Sequence, residues 1–193
     1  MAERSATGGG GTDVGPGDGP PPFPWLWLLP GVGVLAALAG WGIAVYPELP
    51  ARVPQHFGPD GVDAYAAKSL GSVFLPVFVQ AGVLLVLAGT AVLMLRIRPA
   101  SELRPGESPG GLSSLVSNRP ATRAGAARTA RATLALAGWL GLTMAAACAV
   151  MWQTGPWQDP PGWYLAVVLA PVLLGTAHLL RVSLKERGSR NGR

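Results

Sequence analysis

The side chains able to do chemistry in this 193-residue chain are few, and most lie in one stretch, 46–68, YPELPARVPQHFGPDGVDAYAAK. His56, Asp60 and Asp63 bring an imidazole and two carboxylates together. Zinc takes three or four such nitrogen and oxygen ligands in fixed geometry, so these residues would make a three-ligand site. Glu48 with Asp63 would make an acid–base pair. Ser69 and Ser72 follow, but a serine nucleophile needs a base within hydrogen-bond reach. The only other histidine, His178, lies in the last apolar run. Cys148 is the sole cysteine, which excludes an intramolecular disulfide and a multi-cysteine metal site. No base stands near it in sequence to lower its pKa. The favoured reading of the stretch is therefore structural. Pro59-Asp60-Gly61 is a turn, Asp63 caps the following helix or pairs with Lys68, and His56 bonds to backbone. On this reading no catalytic residue, metal or cofactor is assigned.

The elements that must position this stretch are apolar helices. Only 13% of residues are charged, and the charges are segregated, leaving four long apolar runs. The spans expected are 25–45, 72–95, 132–152 and 163–180. Trp25 and Trp27 at one edge of the first span, and Trp41 and Tyr46 near the other, suit aromatic belts. Gly138, Gly141 and the alanines around them mark the third span as the central helix, because small residues let backbones approach. Gln80 is the one amide inside the second span, placed to hydrogen-bond across helices. Pro171 falls in the middle of the fourth. The fold class expected is all-α, a membrane protein of four transmembrane helices with a structured outer loop between the first two.

Between the first two spans, Pro47, Pro50 and Pro54 bias the residues before them towards extended backbone and stop the first helix near Tyr46. Gly58-Pro59-Asp60-Gly61 has turn chemistry. Its flanks, 53–57 and 62–65, are expected to pair as a hairpin, with Phe57 and Tyr65 against helix ends or the interface. A hairpin alone is marginal, so helix ends must hold it.

The remaining organisation is a disordered tail 1–24, a first helix pair 25–96 containing the loop 46–70, a basic loop 97–131, a second helix pair 132–181 and a basic tail 182–193. The middle of the basic loop, 99–120, reads as flexible, and 121–131 as an extension of the third helix. Net charge is +5, from 15 Lys and Arg against 10 Asp and Glu. Of those 15 bases, only Arg52 and Lys68 fall in the loops 46–70 and 153–162. The positive-inside bias then puts both termini in the cytoplasm and the patterned stretch outside. Nucleic-acid binding would need bases clustered on a folded face with aromatics between them; here the bases sit in Gly/Pro/Ser-rich flanks. The partner expected from composition is the lipid bilayer, and no nucleic acid.

The ordered pattern Leu49-Pro50-x-x-Val53-Pro54-x-His56-Phe57-x-x-x-Gly61-x-Asp63-x-x-x-x-Lys68 resembles the signature of a bacterial membrane-domain family of unknown function. That domain forms the N-terminal part of SdpI-type immunity proteins. The resemblance runs from late in the first apolar run to the middle of the second. It implies a multi-pass protein of the bacterial plasma membrane, engaged in envelope-toxin immunity or sensing. Its partner would be a secreted peptide or another membrane protein, met through a loop whose binding residues are Pro54, His56, Phe57, Gly61, Asp63 and Lys68. The longer SdpI-type proteins carry a second membrane domain with an Arg-x-Pro motif, and Arg119-Pro120 here has no such continuation. The alternatives are a metal-assisted membrane enzyme built on the His56/Asp63 loop, and a small transporter subunit. The uncharged interiors of the spans speak against the latter.

Overall fold

The computed structural model describes residues 20–58, 61–103, 119–154 and 160–191, without the side chains of 57, 58 and 186–191. Helix α1 spans Trp25–Val45 and continues into a 3-10 turn, Tyr46–Glu48. Strands β1, Arg52–Gly58, and β2, Gly61–Ala67, form an antiparallel hairpin. Then come α2, Leu70–Arg96, α3, Arg123–Met151, and α4, Tyr164–Asn191. All four helices are long and apolar enough to cross a bilayer, and the chain is a multi-pass membrane protein. The expected tail 1–24 and flexible middle loop fall mostly outside the described residues.

Two helices are longer than their apolar runs. Helix α3 starts at Arg123, inside the stretch 121–131 expected to extend the third span, as the Thr122 side chain accepts from the Gly125 N–H at 3.0 Å and caps it. Ala and Arg then carry the helix to the apolar run because both are good helix formers. Helix α4 runs on to Asn191, through most of what reads in sequence as a basic tail. Residues 181–187 contain no breaker, and a hydropathy boundary does not by itself end a helix.

Helix α3 packs against each of the other three, as its small residues predict. A Cβ added at Gly141 would stand 2.9 Å from Val34 Cγ1 and 3.0 Å from Gln80 Nε2. Gln80 is fully buried and donates from Nε2 to the Ala137 carbonyl at 3.0 Å, so the one amide of the second span does bond across helices. Its Oε1 is buried with no hydrogen-bond partner among the described residues. Thr143 Oγ1 donates to the Val168 carbonyl at 3.1 Å, tying α3 to α4. Two apolar clusters of buried side chains lie one at each end of the bundle. One cluster joins Leu38, Val73, Phe74, Val77, Cys148, Met151 and Trp152 beneath the hairpin. The other joins Ala91, Leu95, Ala130 and Leu134 at the opposite end. Large apolar side chains such as Phe78, Leu85, Leu165 and Leu173 are at least 60% exposed, because in this solvent they face lipid tails.

At the end opposite the hairpin the α2–α3 connection is braced on both sides of the residues left undescribed. A 3-10 turn, Ala100–Glu102, lies against the start of α3. The Ala100 N–H donates to the Pro120 carbonyl at 3.0 Å and the Ser101 N–H to the Ala121 carbonyl at 3.1 Å. Arg123 grips both oxygens of Glu102 at 2.7 Å each, a bidentate pair. Arg119 is buried and donates to the Arg98 carbonyl at 3.3 Å.

The close approach at α3 makes a specific prediction. Gly141→Val overpacks the contact with Val34 and Gln80 and is expected to cost about 1–3 kcal/mol. Gly82 on α2 has nothing within 4 Å of an added Cβ, so Gly82→Val should stay within about 0.5 kcal/mol of the parent. Unfolding of both variants in the same detergent or nanodisc compares them. Equal losses would mean that α3 is not packed this closely.

Candidate functional site

The hairpin is closed by a positive-φ glycine. Gly58 pairs with Gly61, whose φ of 110° is open to glycine and costly for other residues. The residues between them, Pro59 and Asp60, lie outside the described set. The ladder pairs Phe57 with Val62, His56 with Ala64, Pro54 with Tyr65, Val53 with Ala66 and Arg52 with Ala67, slipping on either side of His56. The hairpin expected from the sequence is therefore present, with each strand extended by one or two residues at either end.

Three attachments hold it to the bundle. The first is apolar: Leu49 and Val53 are 3% and 1% exposed and sit in the cluster formed by α1, α2 and α3. Burying two such side chains stabilises by about 1.5–3 kcal/mol each. The second follows from a missing donor. Pro76 has no N–H, so the Ser72 carbonyl one turn earlier has no helical partner; Gln55 Nε2 donates to it at 3.2 Å. The third is Lys68. Its ammonium donates to the carbonyls of Tyr46, Pro47 and Leu49 at 3.3, 3.4 and 2.8 Å and lies 5.4 Å from the Tyr46 ring centroid. Those carbonyls lie just past the C-terminal end of α1, where the last turn leaves acceptors open and the helix dipole favours a cation. The Lys68 N–H also donates to the Ala51 carbonyl at 2.8 Å, which closes the base of the hairpin.

These contacts correct the expected role of Asp63. It neither caps α2 nor pairs with Lys68. Ser69 caps α2, accepting from the Ser72 N–H at 3.1 Å while Ser72 Oγ accepts from the Ser69 N–H at 3.0 Å. The two serines considered as nucleophiles are thus a reciprocal cap. Asp63 instead meets His56 across the strands: Nδ1 and Oδ1 are 2.6 Å apart, so His56 bonds to a side chain rather than to backbone. A carboxylate only accepts, so Nδ1 is the donor in this contact and Nε2 is the ring nitrogen turned away from Asp63. Both side chains are more than half exposed, at 69% and 55%.

Of the six expected binding residues, the structure divides five among an anchored side, the turn and an exposed face. Pro54 and Lys68 are on the anchored side, and Gly61 makes the turn. His56 and Asp63 stand together in solvent. The side chain of the sixth, Phe57, lies outside the described set. Tyr65 is 43% exposed and carries the Arg52 guanidinium 6.0 Å from its ring centroid, so its partner is Arg52, not a helix end. Among the described residues no group of three His, Cys, Asp or Glu could hold a metal ion, and Asp60, the third expected ligand, is not described. Gln55 and Arg52 are additions to the site. The only sequence signal for Gln55 was Pro76, which announces an unfilled carbonyl but not what fills it.

A family model described as Domain of unknown function (DUF1648) matches residues 33–79. The match takes in the second half of α1, the whole hairpin and the first turns of α2, including every hairpin anchor except those that α3 supplies. No curated protein and no solved structure shows significant similarity to the chain.

The anchored side and the exposed face predict unequal energetics. Lys68→Met leaves three carbonyls without their cation and should cost about 2 kcal/mol. The exposed His56–Asp63 pair should show a coupling below about 1 kcal/mol in a double-mutant cycle. Thermal or denaturant unfolding of the single and double variants measures both. A His56–Asp63 coupling larger than the Lys68 loss would reverse the assignment of anchor and face.

Proposed function

We propose that the hairpin is a pre-organised recognition platform of an integral membrane protein, and that what it binds is a secreted, envelope-active peptide. The observation that carries this reading is the division of the hairpin into an anchored side and a presented side. Leu49, Val53, Gln55 and Lys68 face the bundle. Arg52, His56, Asp63 and Tyr65 are exposed above it, already arranged in two cross-strand pairs. Charged and aromatic side chains held in place before binding lose little freedom on binding. The resemblance of the 49–68 pattern to SdpI-type immunity proteins supports the same reading, in immunity or in sensing. The role is binding rather than catalysis. The chain lies in the bacterial plasma membrane with both termini cytoplasmic and the hairpin outside, in accord with the uneven placement of its bases.

One observation favours a second reading. The His56–Asp63 pair has the geometry in which a carboxylate orients an imidazole and leaves Nε2 open to a metal ion. With Asp60 as a further ligand this would be a metal-assisted site.

Three measurements test these readings. Ala64→Cys on the hairpin should react with an impermeant thiol reagent in intact cells, and Lys185→Cys should not; the reverse labelling would overturn the topology. Cells lacking the protein should be more sensitive to at least one secreted envelope-active peptide. The parent gene should restore resistance, and an Arg52→Ala/Tyr65→Ala double variant of equal abundance should not. Equal sensitivity with and without the protein would sink the immunity role. A zinc-dependent rise in unfolding temperature, lost in both His56→Ala and Asp60→Ala, would favour the metal reading over the peptide one.

A further inference from the structure

We propose that the end of the bundle opposite the hairpin binds anionic phospholipid headgroups through a ring of three arginines, Arg96, Arg131 and Arg181, set at the level of a tryptophan belt. The contacts between helices fix that level. Helices α3 and α4 are antiparallel, with Thr143 bonded to Val168 and Gly175 closed on by Leu136 and Trp139. Stepping back along α3 and forward along α4 by equal amounts brings Arg181 level with Ala130 and Arg131. Helix α1 runs parallel to α3, with Gly31 beside Gly138 and Val34 beside Gly141. The same stepping brings Trp25 level with Arg131 and Ala132. Leu95 packs in one cluster with Ala130 and Leu134, so Arg96, the last residue of α2, reaches this level too.

Among the described residues, the three arginines differ from the other arginines at this end in having no protein partner. Glu102 is the one acidic side chain described at this end, and Arg123 occupies both of its oxygens. Arg119 is spent on the Arg98 carbonyl inside the connection. Arg96, Arg131 and Arg181 are exposed and make no hydrogen bond or ion pair among the described residues, and the same holds for Lys185 one turn further along α4. Trp25 and Trp27 are 68% and 45% exposed, which marks the boundary between acyl chains and headgroups. Guanidinium groups at that depth reach phosphates rather than bulk solvent, and bidentate phosphate contact is what arginine does best. A soluble acidic partner would instead need its bases clear of the bilayer.

Spin-labelled phosphatidylglycerol and phosphatidylcholine, compared in phosphatidylcholine membranes containing the full chain, give the relative association constant. At low salt the anionic lipid should be preferred by at least about fivefold, the worth of one base near an anionic surface. High salt should erode the preference. The triple variant Arg96→Gln/Arg131→Gln/Arg181→Gln should bring it close to parity, and the triple Lys variant should retain most of it. Parity in the parent, or an unchanged preference in the Gln variant, would overturn the proposal. So would suppression of the preference by soluble glycerol phosphate, which would mark a small-anion site instead. Should the triple Gln variant lose its helical circular dichroism, single Arg131→Gln and Arg181→Gln replace it, and the proposal fails unless each lowers the preference.

Discussion

Lys68 is the residue on which the arrangement of the hairpin depends. The polypeptide must leave one membrane helix, turn, and enter the next, and at each crossing main-chain groups lose their helical partners. Where water is scarce these groups need partners from the protein. One ammonium fills the acceptors at the exit of α1 while its own main chain closes the base of the hairpin. The donors at the entrance of α2 are filled next door by Ser69 and Ser72. Exit, hairpin and entrance thus become one unit, and the hairpin, too small to be stable by itself, inherits the stability of two helices.

The third helix completes that unit from a distance in sequence. Trp152 ends α3, is almost fully buried, and donates from Nε1 to the Val73 carbonyl at 3.1 Å. Its ring meets Trp41 of α1 at 5.0 Å and Phe74 of α2 at 6.3 Å. A tryptophan buried at a helix end needs a partner for its N–H, and here that requirement orients the ring across both other helices. The family match stops at residue 79, so this part of the hairpin's support lies outside it. The anchoring therefore combines a local part within the matched segment and a distant part supplied by α3.

The two exposed pairs on the hairpin contribute differently. His56–Asp63 and Arg52–Tyr65 are solvent-screened contacts that add little to stability. Their value is in presentation: each fixes the rotamer of a charged or aromatic side chain on a surface whose backbone is already held. Alternation along β1 produces the division, since Val53 points into the bundle while Arg52 points away. Anchoring and presentation are two sides of one strand.

Much of the architecture was legible from local chemistry. Apolar run length and charge segregation dictated four membrane helices, because only helices satisfy their own backbone in lipid. Prolines and the Gly58-Pro59-Asp60-Gly61 sequence dictated a stop and a hairpin, because their φ preferences are local. Small residues marked α3 as central, because close approach excludes bulk. The partners of polar side chains were another matter. Asp63 and Lys68 are near neighbours in sequence with opposite charges, yet Asp63 found His56 and Lys68 found carbonyls around twenty residues back. A lysine at a helix end has several favourable acceptors, and only the three-dimensional path of the chain decides which one it can reach. Gln55 on the carbonyl that Pro76 leaves open, and Trp152 on Val73, are of the same kind. Backbone preferences are written residue by residue, whereas a hydrogen bond between distant segments exists only once packing has brought its two ends together.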